Sequence, residues 1–396
     1  MLKTGVVLTI VLATLALLSL GLTLWQWVVA FRFPLHQQVG HDNRAPSVTL
    51  LKPLKGLDSE TADCLRSWLT QPYSGNVQIL FGVASPADPV CELARQLVAS
   101  YPKADAQLVI CPENLGANAK VSTLIQLMRL ARHDVIIVSD ADVWVPEGFL
   151  SQIVTPLKDP MLGLVNCFYR MVTSVSRGAA TVKERTINNL AMRWEAFVVN
   201  ADFWSQVLQS RSLKPLDFAL GAVMATTRAQ LAKMGSFESL ADYLADDYQL
   251  GHLIARNGAR IGICPLVVEC RNVPMSWSEV WTHQVRWART IRVCQPRPYF
   301  FSQLHNPTVW PWLWALWQPM GATLAIACGC LLTRMAAGFY CERKLTGRAD
   351  LNSLWMAPVK DLLQSVIWAL AFCGRQIKWR GQYFDVQAGG KLVRRF

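Results

Sequence analysis

The sequence predicts a doubly wound α/β domain carried on membrane segments, and three observations predict it. Between residues 48 and 138, short β-rich apolar runs alternate with stretches of helical periodicity. Residues 4–31 contain no charged side chain, a run longer than the ~20 residues needed to cross hydrocarbon. Across 396 residues, 52% are hydrophobic and only 17% charged, too little charge to cover a wholly soluble surface of that size and too apolar for a disordered chain.

The first run closes with Trp25, Gln26, Trp27 and Arg32, an interfacial belt, and it exceeds the apolar core of a signal peptide, so it predicts an uncleaved anchor. A strand is expected at 48–52, a helix at 59–69, a strand at 77–83 and a helix at 89–100. A strand at 107–111, a helix at 120–131 and a buried strand at 135–138 complete the alternation. Repeated βα units with short connections imply a parallel sheet covered on both faces. Ligands of such sheets sit beyond the carboxyl ends of the strands, which picks out Lys52 and Pro53, residues 84–88 and residues 139–142.

A second uncharged run, 306–333, carries Pro311 and Pro319 among Trp310, Trp312, Trp314 and Trp317 and accommodates a broken or re-entrant helix as well as one span. A third, 362–373, is short, and Lys360 and Asp361 interrupt its upstream extension, so it either spans or lies at the interface. The expected organisation is therefore an anchor at 1–32, a catalytic domain at 33–300 and a membrane-associated region with a basic tail at 301–396.

Lys and Arg number 39 against 27 Asp and Glu, a net charge of +12. The basic residues flank apolar segments, among them Arg375, Lys378, Arg380, Lys391, Arg394 and Arg395 of the tail, which points to a cytoplasmic membrane surface and excludes a nucleic-acid stripe. Eleven Cys with no CxxC, and only Cys328 and Cys330 close together, exclude a zinc or disulfide framework.

Three clusters carry chemistry. In VIIVSDADVWV, Asp140 and Asp142 stand two positions apart where a buried strand ends; that spacing suits Mg²⁺ or Mn²⁺ shared with a diphosphate, and equally an ordinary turn. In LADYLADDYQLGHL, Asp246 and Asp247 open a helix, where acidic residues interact well with the helix dipole. Two adjacent acids cannot both cap, so one is left to face a cleft and can act as a general base toward an alcohol. In SWSEVWTHQVRWARTIR, Ser276 and Glu279 form a capping-box start for a helix over 277–293, with His283, Arg286, Trp287 and Thr290 on one face. Such a face suits a leaving diphosphate or an interfacial amphipathic helix. Asp88, before Pro89, reads as a helix start, and Lys120, beside a Gly-Ala-Asn turn, as an ammonium placed to meet phosphate.

In their order and spacing, LLKPLKGLD, Asp88, GANAKVSTL, SDADVWV, LADDYQLG and HQVRWARTIR resemble the ceramide-glucosyltransferase-like membrane glycosyltransferases (glycosyltransferase family 21 type), above all their bacterial hopanoid-biosynthesis branch. The resemblance implies a GT-A fold and an enzyme that moves a sugar, GlcNAc or glucose, from a UDP-sugar to a hydroxyl of a membrane lipid with inversion, at the inner membrane with its catalytic domain cytoplasmic. It implies that Asp88 contacts the nucleotide, that Asp140, joined by Asp142, holds Mg²⁺ or Mn²⁺ at the sugar diphosphate, and that Asp247 is the catalytic base. Arg286 and Trp287 match the end of the family's (Q/R)xxRW motif, whose first position is His283 in this sequence. A processive polysaccharide synthase shares the fold but needs more membrane segments than three apolar runs provide. A non-catalytic lipid- or sugar-binding scaffold would have no need to keep every acidic position.

Overall fold

The computed structural model describes residues 2–38, 45–173, 182–348, 351–379 and 382–394; Arg380 and Arg395 of the basic tail lie outside the described residues. The chain divides into two compact units that interleave along the sequence. One comprises Met1–Phe33, Thr181–Lys214 and Met275–Ile377, the other Pro34–Ala180, Pro215–Pro274 and Lys378–Phe396.

The second unit is built on an eight-stranded sheet: β1 (Val48–Leu54), β2 (Val77–Val83), β3 (Asp105–Ile110), β4 (Val135–Ser139), β5 (Val143–Trp144), β6 (Leu162–Thr173), β7 (Val223–Thr227) and β8 (Arg260–Asn272), in the order β3-β2-β1-β4-β7-β6-β8-β5. The strands expected from sequence, β1 to β4, are parallel, with Leu50 of β1 paired to Ile79 of β2 and Ile137 of β4. All three of these residues are buried, because a parallel strand covered on both faces leaves no side of the apolar run wet. Leu65, Trp68, Val90, Ala94 and Leu97, from the helices Thr61–Leu69 and Val90–Ser100, pack with Leu50, Ile79 and Phe81 into one core. The Ala119–Met128 helix packs close over β2, where a Cβ on Gly82 would come within 2.7 Å of Leu127.

The parallel sheet expected from 48–138 is the β1 to β4 half, and the strands beyond that reading are mixed in direction. β7 runs antiparallel to β4 and to β6, and β5 antiparallel to β8. The reason is where the chain enters: Val223, the first residue of β7, pairs with Ser139, the last of β4, so β7 starts at the edge where its neighbour ends. No crossover returns the chain to the far edge, and parallel pairing needs one.

The first unit is helical. Leu2–Arg32 and Gly321–Thr346 are the two helices among the described residues long and apolar enough to cross a membrane. The 306–333 run breaks into Val309–Trp317 and Gly321–Thr346 around Gln318, Pro319 and Met320, where proline has no N–H to donate. The last apolar run forms the Met356–Phe372 helix, which continues straight through Lys360 and Asp361. Both are buried in an ion network: Arg334 lies 2.7 Å from Asp202 and 3.0 Å from Asp361, and Lys360 lies 2.5 Å from Asp202. Two cations and two anions satisfy one another out of water. The capping box expected at Ser276 and Glu279 is present, and its helix runs Trp277–Cys294.

Candidate active site

The carboxyl ends of β1, β2 and β4 lie along one edge of the parallel half of the sheet, and the residues that follow them assemble there. After β2, both oxygens of Asp88 accept from the Gly56 N–H, at 3.0 and 3.1 Å, and Oδ1 also accepts from Val90 N–H at 3.1 Å. Asp88 thus starts the helix after it, as its Asx-Pro sequence predicts, and ties down the loop after β1. Gly56 has φ 74°, the left-handed region that favours glycine.

After β4 the chain turns through Asp140, Ala141 and Asp142. Beneath that turn lies Lys52 of β1, wholly buried. Its Nζ donates to Ser139 Oγ at 3.1 Å, to the carbonyl of Asp140 and to the carbonyl of Val143 at 3.4 Å. Burial pulls the Lys52 ammonium down to about 8, although Asp142 and Asp140 hold it up. Burial, reinforced by the charge of Asp140, pushes the Asp142 carboxyl up to about 6.

Lys120 joins this turn to the third cluster. Asn118 caps the Ala119–Met128 helix by accepting from the backbone N–H groups of Lys120 and Val121, and its amide donates to Tyr243 O at 2.8 Å. The Lys120 ammonium lies 2.7 Å from Asp140 Oδ1 and 2.9 Å from Asp246 Oδ2. Burial alone would lower Lys120, but the two carboxylates outweigh it and hold the ammonium above its ordinary range. Asp246 is therefore spent on Lys120. Asp247 accepts from the N–H of Tyr248 at 2.8 Å, and burial, together with the charge of Asp246, raises its carboxyl to about 6. A Cβ at Gly221 would stand 2.7 Å from Asp247 Oδ2, so only glycine fits against this carboxylate.

The site's donor chemistry fits a hard divalent cation. Asp140 and Asp142 offer carboxylate oxygens, the donors that Mg²⁺ and Mn²⁺ prefer. Among the described residues no group of three or more His, Cys, Asp or Glu is placed to hold a metal, so two carboxylates would share it with oxygens of a ligand and water.

His283, Arg286 and Trp287 stand on the Trp277–Cys294 helix of the helical unit, each half-buried. The His283 ring lies 4.5 Å from that of Trp287, and its Nδ1 is 2.6 Å from Glu195 Oε1. Gly221 and Glu195 escape the sequence reading, which marks Lys52 only as a strand-end position and not as the buried donor beneath the Asp140 turn. A lysine inside the apolar run LLKPL is a signal that it has buried acceptors; Gly221 and Glu195 have no comparable local sign.

The chain matches the family described as Glycosyl transferase family 21 over residues 8–392. It belongs to that family. Ceramide glucosyltransferase 3 of Caenorhabditis elegans is 22% identical over 376 residues, covering 91% of this chain and 77% of the relative. Ceramide glucosyltransferase of Candida albicans is 33% identical over 140 residues, 31% of this chain and 26% of the relative. Among solved structures, a mannosyltransferase from Pyrobaculum calidifontis, in complex with GDP-Man and Mn²⁺, superimposes with a TM-score of 0.53 at 19% identity, covering 92% of this chain and 96% of that one. The family 21 chain is thus a hexosyltransferase with a GT-A fold.

Proposed function

We propose that this family 21 enzyme transfers one hexose, glucose or GlcNAc, from a UDP-sugar to a hydroxyl of a membrane lipid with inversion, the acceptor being a hopanoid polyol such as bacteriohopanetetrol or a ceramide. One observation carries the reading: Lys120 links the D-x-D carboxylate Asp140 to Asp246, which puts Asp247 next to that link with a raised, partly buried carboxyl. A general base beside a diphosphate-binding turn is what sugar transfer to an alcohol requires.

In this reading Asp247 takes the proton of the acceptor hydroxyl as its oxygen bonds to the anomeric carbon, and the bond from that carbon to the diphosphate breaks to release UDP. Asp88 contacts the nucleotide, and Lys120 supplies an ammonium to the diphosphate. Mg²⁺ or Mn²⁺ held by Asp140 and Asp142 would neutralise charge on the departing diphosphate. Arg286, in the family motif with Trp287 and His283 beside it, offers a guanidinium of the kind that binds a diphosphate. Three things support the cation: the carboxylate donor set, the family membership, and the similarly folded mannosyltransferase in its complex with GDP-Man and Mn²⁺. The anchor at 1–32, the catalytic portion within 33–300 and the membrane-associated 301–396 region would hold the enzyme on the cytoplasmic face of the inner membrane, where the lipid acceptor is at hand.

The test is transfer by the full chain in lipid nanodiscs, with UDP-glucose and UDP-GlcNAc offered against ceramide and bacteriohopanetetrol. A product carrying one hexose, of anomeric configuration opposite to the donor by NMR, is expected. A polymeric product, retained configuration, or no transfer from any UDP-sugar overturns the reading. Cleavage within 45–300 by protease added outside intact cells would overturn the cytoplasmic placement.

A further inference from the structure

Glu195 sits near the end of the Val182–Phe197 helix, fully buried. Its Oε1 faces two side chains of the Trp277–Cys294 helix: His283 Nδ1 at 2.6 Å and Gln284 Nε2 at 3.2 Å. Oε2 is buried with no hydrogen-bond partner among the described residues. Around them the Trp194 ring stacks on Trp277 and Trp281, at 5.9 and 6.3 Å, and Trp287 lies 4.5 Å from the imidazole.

As packing alone, this is a poor use of a glutamate. A carboxylate with one oxygen unpaired and out of water is costly, and a glutamine or leucine would fill the same space at less cost. An ionised carboxylate only accepts hydrogen bonds, and Oε1 already accepts from Gln284, so the proton between Oε1 and the imidazole belongs to Nδ1. A ring held by Nδ1–H has its other nitrogen fixed in position and chemistry, as in carboxylate–histidine pairs elsewhere. His283 keeps 22% of its side chain exposed, whereas Glu195 has none.

We propose that Glu195 is a positioning residue for His283: it holds the imidazole in the Nδ1–H form and leaves Nε2 as the ring atom offered to a polar ligand group. The inference rests on the proposed function, which takes the His283 motif as donor-binding, for the identity of that ligand. Glu195 lies 88 residues from His283 along the chain and in no motif.

The test uses the full chain in nanodiscs with Glu195→Gln, which keeps size and shape, His283→Ala, and the double variant. Nitrogen-15 NMR of the six histidines identifies the His283 ring by its loss in His283→Ala. The wild-type ring should be protonated at Nδ1 and Glu195→Gln should shift the proton toward Nε2. Single-turnover kcat/KM for the UDP-sugar should fall about tenfold or more in Glu195→Gln. The double variant should be no slower than His283→Ala alone. A wild-type ring protonated at Nε2 overturns the proposal even if the glutamate variant fails to fold, and so do losses that add in the double variant. Wild-type transfer by His283→Ala with loss in Asp247→Asn defeats this proposal and leaves the proposed function standing; wild-type transfer by both defeats the proposed function as well.

Discussion

Asp246 gives its carboxylate to Lys120 at 2.9 Å, while Asp247 keeps a carboxyl raised to about 6. An acid whose folded value lies above its unfolded one holds extra protons in the fold between the two values. Its ionised form therefore costs stability, fully above pH 6 and not at all below about 4. Asp247→Asn should accordingly raise the melting temperature at pH 8, by the equivalent of about 1–3 kcal/mol, and leave it unchanged near pH 4, while transfer falls about 10²- to 10⁴-fold. In the wild type, transfer should decline as pH drops through about 6 and the proposed base takes up its proton. Thermal scans and single-turnover assays at both pH values check each arm; a normally active Asp247→Asn rejects the base. Asp142→Asn should weaken Mn²⁺ and UDP-sugar binding together, seen by titration calorimetry, and full transfer in excess chelator would remove the cation. Residue types in a turn or a first helical turn made these acids legible from sequence. Which of two adjacent acids stays unspent is named by the family resemblance but not by the residues themselves, because the physical answer is Lys120, 126 positions upstream of Asp246 and brought beside it only by the fold.

Elements whose signals are local read well from sequence, and those whose meaning is a distant partner do not. The strand expected at 77–83 is β2 with the same bounds, and the Ser276 capping box starts the helix where expected. The direction of β7 is set by the path of the chain into it, which no five-residue pattern encodes. Lys360 and Asp361 illustrate the same limit. As sequence they interrupt an apolar run; in the fold they complete a buried network with Arg334, 27 positions from Asp361, and Asp202. Removing one member leaves its partners charged and out of water, so Asp361→Ala should destabilise the helical unit by about 3–5 kcal/mol. Asp361→Asn, which keeps an acceptor for Arg334, should cost less. Thermal unfolding in one detergent ranks the two, and equal stability of Asp361→Ala and wild type would show that the network contributes nothing. Asp202 lies in the π-helical turn Val198–Phe203, an irregularity frequent at sites that must aim a side chain.

At the scale of the whole molecule, the chain leaves the α/β unit twice and comes back to it at its end. Composition marks the apolar segments plainly, but it cannot show that residues after 378 return to a unit begun more than three hundred residues earlier. That return has a mechanical consequence. Gln382–Val386 and Leu392–Arg394 pair antiparallel, and the hairpin docks on the segment that carries the two acids. Leu244 N–H donates to Gly390 O at 3.0 Å, Leu392 N–H to Asp242 O at 2.7 Å, and the Gln249 amide to Gly389 O at 2.5 Å. Asp242 in turn accepts from Ala117 N–H at 3.0 Å, one residue before the Asn118 that caps the Lys120 helix. The tail thus braces both ends of the bridge between Lys120 and Asp246. Deleting residues 380–396 strands backbone groups at Leu244 and Asp242 and frees the turn that aims Asp247. Each lost hydrogen bond is worth about 0.5–1.5 kcal/mol, too little to unfold a domain of this size but enough to loosen a turn. The truncated chain should stay folded, exchange the amides of 242–249 faster, and lose transfer about tenfold or more, because small misplacements of a base cost that much. Hydrogen exchange read by mass spectrometry, alongside single-turnover transfer, decides it: unchanged protection at 242–249 with normal transfer would reduce the tail to a surface ornament. Unchanged protection with lost transfer would assign the tail a contact with substrate instead.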